Sequence, residues 1–301
     1  MYARRLRAGG TNARPNVRIV SEGPGVALLD GDHGDGHVVG HRAMEIAIAK
    51  ARACGIGACT VRNSEHFGIA AYYAMQALAH GMIGFATGNS SAIVPPPGGR
   101  VGRVGNNATA YALPTRDEPP VVLDIAMSIA ARARFMQHVE TDRPIPEGWA
   151  LDGDGLPTTD ARAASEGALL PIGGYKGFGL ALLWDALSGV LSGGRFGIHV
   201  SRAPDDEPHE VSHFMLALDP AAFGPPDDFR VRMDEVVRTI RETPRQPGVD
   251  RVRAPGERAA ELRSAHLAEG IALPRLTVDQ VNGIAEQLGI PDRLAAPGTA
   301  F

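Results

Sequence analysis

A chain of 301 residues, 44% hydrophobic and 21% charged, can bury a sizeable core or divide into two lobes, and this composition excludes wholesale disorder. The formal net charge of -4, from 30 basic and 34 acidic side chains, is spread along the chain, which argues against nucleic acid or an anionic membrane as partner. No signal-peptide core follows the basic start MYARRLRAGG, and no apolar run reaches the roughly 18 residues of a spanning helix, so a cytoplasmic protein with a small-molecule partner is expected.

In chain order, residues 17–29 and 56–62 read as strands flanking HRAMEIAIAKARACG, whose apolar residues recur at helical spacing, and a βαβ-like unit follows. Next come a helix in AAYYAMQALAHG, a strand in MIGFATG, a Pro- and Gly-rich loop at VPPPGG, and the strand VVLDIA running into a helix MSIAARARFMQHV. Residues 143–160 are turn-rich and read as a surface loop. KGFGLALLWDALSGVLSGG is almost wholly apolar and reads as a buried helix, followed by a strand in HFMLALDP, an amphipathic helix in DFRVRMDEVVRTIRET and a last helix over 276–288 closed by Gly289. Cys54 and Cys59 match no common zinc spacing and read as two small buried thiols, and no histidine pair suggests a metal.

Four segments can carry chemistry. GDGHVVG at 34–40 is glycine-rich between a strand and a helix, but the next strand ends in Arg62 and Asn63 where a Rossmann fold needs an acid for the ribose. SEHFG places His66 past a strand and before a helix, where an imidazole can shuttle a proton or simply hold the turn. LDIAMS puts Asp124 at a strand end, as a hydrogen-bond acceptor for a ligand or as a helix cap. PIGGYKGFG brings Lys176 among glycines at a helix mouth, a recipe for gripping an anion or a close-packed turn. Only Lys50 and Lys176 are lysines among the 30 basic residues; Lys50 reads as a solvated helix-end charge, so Lys176 is the informative one.

Together, VRNSEHFGIAAYYA, GNSSAIVPPPGG, VGNNATAYALP, LDIAMSIAARAR, IPEGWALDGDGLPTTD, LLPIGGYKGFGLALL and RAPGE, in this order over nearly the whole chain, resemble the malate/L-lactate dehydrogenase family. The resemblance implies an α/β fold that is two-lobed, a mixed sheet with helices on both faces and a non-Rossmann NAD(P) site, usually in a homodimer. It implies a division into 1–62, the N-terminal part of the main lobe, 63–200, the NAD(P)-binding and catalytic region, and 201–301, returning to the main lobe. His66 is then the acid/base, Ser90 and Asn106 face the substrate, and His66, Phe67, Gly68, Ile69, Ala70, Asp124, Ile125, Ala126, Lys176, Gly256 and Glu257 lie along NAD or NADP.

The implied reaction is hydride transfer between nicotinamide and C2 of a small 2-hydroxy or 2-oxo acid. Family members begin earlier, with a Ser-His-Gly segment that this chain is expected to lack. An inactive paralogue that binds a dinucleotide or acid metabolite, and a cyclic imino acid reductase, are the alternatives. Glu65, Asn106 and Ala108 replace the usual Asn, Thr and Pro, and Arg134 stands where the imino acid reductase branch is acidic. A cation at 134 is expected to lower a nearby histidine's pKa and favour an oxyacid, and Asn106 to favour a substrate with an additional polar group.

Overall fold

The computed structural model describes residues 1–201 and 204–294. Helix α1 (Tyr2–Ala8) stops at Gly9, whose φ of 95° turns its N–H back to the Arg5 carbonyl. Strands β1 (Arg18–Glu22) and β2 (Val26–Gly34) form an antiparallel hairpin where 17–29 had read as one strand. The break lies at Gly23-Pro24-Gly25: proline has no N–H for the ladder and fixes φ for a turn. Helix α2 (Gly36–Cys54) is capped by Asp35, whose carboxylate accepts the His37 N–H, so GDGHVVG is mostly helix and not a phosphate turn. Strand β3 (Ile56–Ser64) then pairs parallel to β2, completing the expected βαβ unit.

Helix α3 (Ala70–Gln76) leads to β4 (Ile83–Gly88), β5 (Thr109–Leu113) and β6 (Val121–Ile125). Helix α4 (Arg132–Glu140) starts later than expected, because Met127 and Ile129 are held extended by bonds from their N–H groups to the Asn106 and Leu170 carbonyls. Within 143–160 lie the short strands β7 (Ala150–Leu151) and β8 (Pro157–Thr158), which with β9 (Ala168–Leu169), after helix α5 (Ala161–Ser165), make a small sheet in the order β8-β7-β9. Helix α6 (Tyr175–Asp185) continues as a π turn over Ala186–Val190. Strand β10 (Val211–Leu218), α7 (Pro226–Arg241), α8 (Glu257–Glu269) and α9 (Arg275–Gln287) complete the described elements, and Gly289 follows α9 with a φ of 68°.

The main sheet runs β1-β2-β3-β10-β4-β5-β6, so it is mixed and draws strands from all three segments of the chain. Alternate β10 side chains separate its faces. His213 and Met215 meet the α2 and α3 layer, as the stacking of His213 on Phe67 and the approach of Met215 to Gly40 show. Phe214 meets Phe85, which packs on Trp184 of α6 on the opposite face. One core cluster fills the first face with Leu29, Val39, Met44, Tyr73 and Met215; a second, with Val94, Met127, Phe135, Ile145 and Leu169, surrounds the small sheet.

Three readings from the sequence are corrected. The apolar α6 segment is not buried: Leu180, Leu182, Leu183, Val190 and Leu191 are exposed, because one face meets the sheet and the other is left uncovered by the described residues. Cys59 is buried but Cys54, in the last turn of α2, is exposed. Nor is Lys50 a solvated charge; its ammonium is largely covered and bonds to Glu22 and the Gly23 carbonyl, tying α2 to the β1–β2 turn. Among the described residues no helix is long and apolar enough to cross a membrane.

Candidate active site

Strand β3 delivers Ser64 and Glu65 into the interior and leaves His66 with an exposed edge in the turn before α3. The Tyr2 hydroxyl lies 2.7 Å from His66 Nδ1, and the Gly68 N–H donates to the same nitrogen at 3.3 Å. Nδ1 is therefore an acceptor, and on this hydrogen-bond pattern the neutral ring carries its proton at Nε2 while Tyr2 donates. His37, whose Nδ1 is 2.8 Å from the Asp35 carboxylate, packs edge-on against the Tyr2 ring with centroids 4.7 Å apart. Gly68 has a φ of 75°, and a Cβ there would fall 2.6 Å from His37 Nε2, so the turn needs glycine twice over. Desolvation, then the neighbouring His37 and His209, hold the His66 imidazole below its ordinary value against the opposing pull of Asp35. Near neutral pH the ring is uncharged and can accept a proton.

Glu65, next in the chain, does not charge this pocket. Its carboxylate is 2.9 Å from Arg5 Nη2, both side chains are almost fully buried, and its other oxygen accepts the His209 N–H at 2.8 Å. Burial raises the carboxyl while the His209 N–H and Arg5 pull it down. Arg5 also donates to the carbonyls of Gly10, Pro204 and Glu207. This buried pair pins α1, and with it Tyr2, beside His66. Behind the turn the Phe67 ring is stacked between Tyr73 and His213, at 4.9 and 4.5 Å. Burial pushes His213 down to about 3, so it is neutral, with Nε2 3.0 Å from the Ser64 hydroxyl.

Ser90 and Asn106, both expected to face the substrate, lie together: the serine hydroxyl donates to Asn106 Oδ1 at 2.8 Å. Fully buried Asn107 supports them, accepting the Ser90 N–H and donating to the Ala181 carbonyl. From Asn106 the backbone route is continuous, since Met127 N–H reaches the Asn106 carbonyl at 2.7 Å and Ile172 N–H reaches the Met127 carbonyl at 2.9 Å. That second bond brings the start of α6 against the end of β6. Gly173 and Gly174 are left-handed there, Gly174 with open space where a Cβ would stand, and Lys176 is exposed just beyond.

A cavity of about 1040 Å³ opens between α3, β6 and α8. Ile69, Asp124 and Gly256, expected along the dinucleotide, line it. Asp124 caps the neighbouring helix instead of its own, accepting the Ala71 N–H at 2.8 Å; burial raises its carboxyl and that bond offsets part of the rise. At Gly256, φ 92°, a Cβ would lie 2.9 Å from the Val122 nitrogen, and this close approach seats α8 against β6. The walls fit an adenosine phosphate: aliphatic Ile69, Met75 and Leu262 for a flat base, a carboxylate for ribose hydroxyls, and Arg258 and Arg263 for phosphate.

Not every expected residue reaches this space. Phe67 and Ala70 turn their side chains into the core, and Ile125 and Ala126 are half-buried on the way to Met127. The Glu257 carboxylate points inward to Arg241 and the Ala254 N–H, where it holds the turn. Lys176 stands outside the cavity wall, beside a smaller hollow of about 380 Å³ that includes Gly174, Tyr175 and Arg100. Arg134 sits over the Trp149 ring, 5.7 Å from its centroid, and the expected lowering of a histidine by this cation does not occur at His66, which is lowered by burial first and then by His37 and His209. Sequence reasoning missed Tyr2, His37, Arg258 and Arg263. Tyr2 meets His66 across 64 positions of sequence, and no local pattern signals that contact.

Comparison with known proteins gives the family and the fold. The family model described as malate/L-lactate dehydrogenase matches residues 1–282. The chain is 39% identical to the malate dehydrogenase of Pyrococcus abyssi, over 96% of this chain and 82% of that one. It is 37% identical to the L-sulfolactate dehydrogenase of Methanothermobacter thermautotrophicus, over 96% and 83%. The solved malate dehydrogenase of Pyrococcus horikoshii superposes with a TM-score of 0.88 at 36% identity, covering 97% of this chain and 82% of that one.

Proposed function

This chain belongs to the malate/L-lactate dehydrogenase family, and on that premise we propose that it is an NAD(P)-dependent dehydrogenase of small 2-hydroxy acids. The observation that carries the reading is the placement of His66, held through Nδ1 and three residues from Ile69 on the rim of the cavity. The dinucleotide, when bound, takes up or supplies the hydride at the substrate C2. Ile69, Asp124 and Gly256 hold its adenosine half, and Lys176 grips a phosphate from the mouth of α6. The Tyr2 hydroxyl is placed to relay the proton: during oxidation it gives its own proton to His66 Nδ1 and takes the one leaving the substrate hydroxyl, and during reduction the transfers run in reverse. Ser90 and Asn106 orient the substrate with one hydroxyl and one amide.

The bonded amide of Asn106 favours substrates with a further polar group, so dicarboxylates and sulfonated acids are expected to turn over better than lactate. Initial rates of NAD(P)-dependent oxidation over malate, sulfolactate and lactate test the reading. No turnover of any of them with either dinucleotide sinks it, and preference for a cyclic imino acid over every 2-oxo acid in the reverse direction changes the substrate class.

We also propose a homodimer through the outer face of α6. From Gly177 to Ser192 the only ionisable side chain is Asp185, itself buried, while Leu180, Leu183 and Leu191 are exposed. Equilibrium sedimentation checks this: Leu183→Glu with Leu191→Glu is expected to yield monomers.

A further inference from the structure

We propose that Arg258 and Arg263 take the 2′-phosphate of NADP(H), so that this chain binds the phosphorylated dinucleotide in preference to NAD(H). The inference rests on reading the α3–β6–α8 cavity as the dinucleotide site, and it assigns a specificity that this reading leaves open. Both arginines rise from α8 into the cavity wall.

The ion pairs around them make the case. Arg241 is paired with Glu118 and Glu257, and Arg251 and Arg253 are both paired with Glu261. The acids of this region are thus already engaged by arginines outside the cavity. Among the described residues, Arg258 and Arg263 have no hydrogen-bond or ion-pair partner of their own. Both are therefore open to an anion that enters the cavity, and a guanidinium fork suits a phosphate monoester.

Among the described residues Asp124 is the one acid in that wall, and it does not oppose this assignment. One of its oxygens accepts the Ala71 N–H, and its remaining lone pairs can accept the ribose 3′-hydroxyl, which a 2′-phosphate leaves free. The lining therefore carries two unpaired cations against one part-engaged carboxylate. A ligand that brings an additional dianion at the ribose matches that balance, and a bare ribose diol leaves both arginines unneutralised.

The test is calorimetric binding to the whole protein, with no substrate and no turnover, using NADPH against NADH and 2′,5′-ADP against 5′-AMP. The 2′-phosphorylated member of each pair is expected to bind about tenfold tighter or more, as charge-assisted bonds to phosphate imply. Arg258→Ala and Arg263→Ala are each expected to lower NADPH affinity by about tenfold and NADH affinity by clearly less, with an unchanged melting curve reporting an intact fold. Arg→Lys at either position is expected to restore part of the loss, since an ammonium keeps the charge without the fork. NADH binding as tightly as NADPH, or alanine variants that weaken both equally, overturns the assignment and leaves the dinucleotide reading in place. Binding of neither dinucleotide overturns both.

Discussion

The two ends of the site are built in opposite ways. Around His66 the chain satisfies its own polar groups: Tyr2 and Gly68 bond Nδ1, Asp35 holds His37, and Arg5 neutralises Glu65 in the interior. At the α6 and α8 ends the cations Lys176, Arg258 and Arg263 are exposed and have no internal partner among the described residues. The contrast follows from what each end does. Proton transfer needs a pKa and a ring orientation set before the substrate arrives, so the protein fixes them beforehand; anion binding needs groups whose best partner is the ligand.

The strongest way to break this contrast is to remove the proton-handling group. His66→Ala is expected to leave thermal unfolding nearly unchanged, because the ring has an exposed edge, and to lower kcat by roughly two to four orders of magnitude. Steady-state rates checked against a melting curve decide it; a variant within threefold of the parent removes His66 from the chemistry.

Lys176→Ala probes the other end. Loss of a point charge beside phosphate is expected to weaken dinucleotide binding by about tenfold with a smaller change in kcat, because that interaction serves ground and transition states alike. Lys176→Arg is expected to recover only part of the affinity. Fluorescence titration with the reduced dinucleotide measures both, and unchanged affinity in both variants takes Lys176 out of the site.

Tyr2→Phe keeps the ring against His37 and deletes only the hydroxyl on His66 Nδ1. A loss of several-fold in kcat/KM is expected, the worth of about one hydrogen bond of roughly 1 kcal/mol. Unaltered kinetics at every pH would mean that the hydroxyl neither orients the imidazole nor passes a proton.

The smallest expected effect sharpens the electrostatics of the His66 end. His66 is held below its ordinary pKa, so as pH falls through the folded value the neutral base is lost and oxidation falls with it. The folded chain binds fewer protons than the unfolded one in that window, so His66 also contributes stability that is complete above the unfolded imidazole value and lost on acidification. His37→Gln removes one of the influences that lower His66, and the acid limb of the oxidation profile is expected to move to higher pH. Asp35→Asn removes the opposing influence and should move it lower. A profile that both variants leave in place assigns the limb to another group.

Part of the fold was legible in order and period. The βαβ start, the strands at 83–88 and 121–125, and the helices at 226–241 and 275–287 follow apolar spacing that survives into the structure. The hairpin at Gly23-Pro24-Gly25 was missed because the strand pattern on either side of the turn keeps the same composition. Strand β5 lies in VGNNATAYALP, where the paired Asn106 and Asn107 interrupt any strand pattern, and of the two only Asn107, with a φ of 34°, is left-handed. Helix α8 escaped notice because its charged, alanine-rich sequence shows no strong apolar stripe, and its seat is set by Gly256 against β6.

What the sequence determined by itself was the identity of the chemical groups: an imidazole after a strand, a carboxylate at a strand end, a lysine among glycines, and seven segments in an order that marks the family. Those follow from short-range spacing, which a linear reading captures. The tertiary structure alone decided which groups meet and which are left free. Burial of Arg5 with Glu65 brought Tyr2 to His66, the pairing of Arg241 and Arg251 with the nearby acids left Arg258 and Arg263 unmatched, and the sheet took one face of α6 and left the other bare. Each outcome depends on contacts between residues far apart in the chain, where the competition of charges for partners and of apolar faces for cover is settled by packing and not by local pattern.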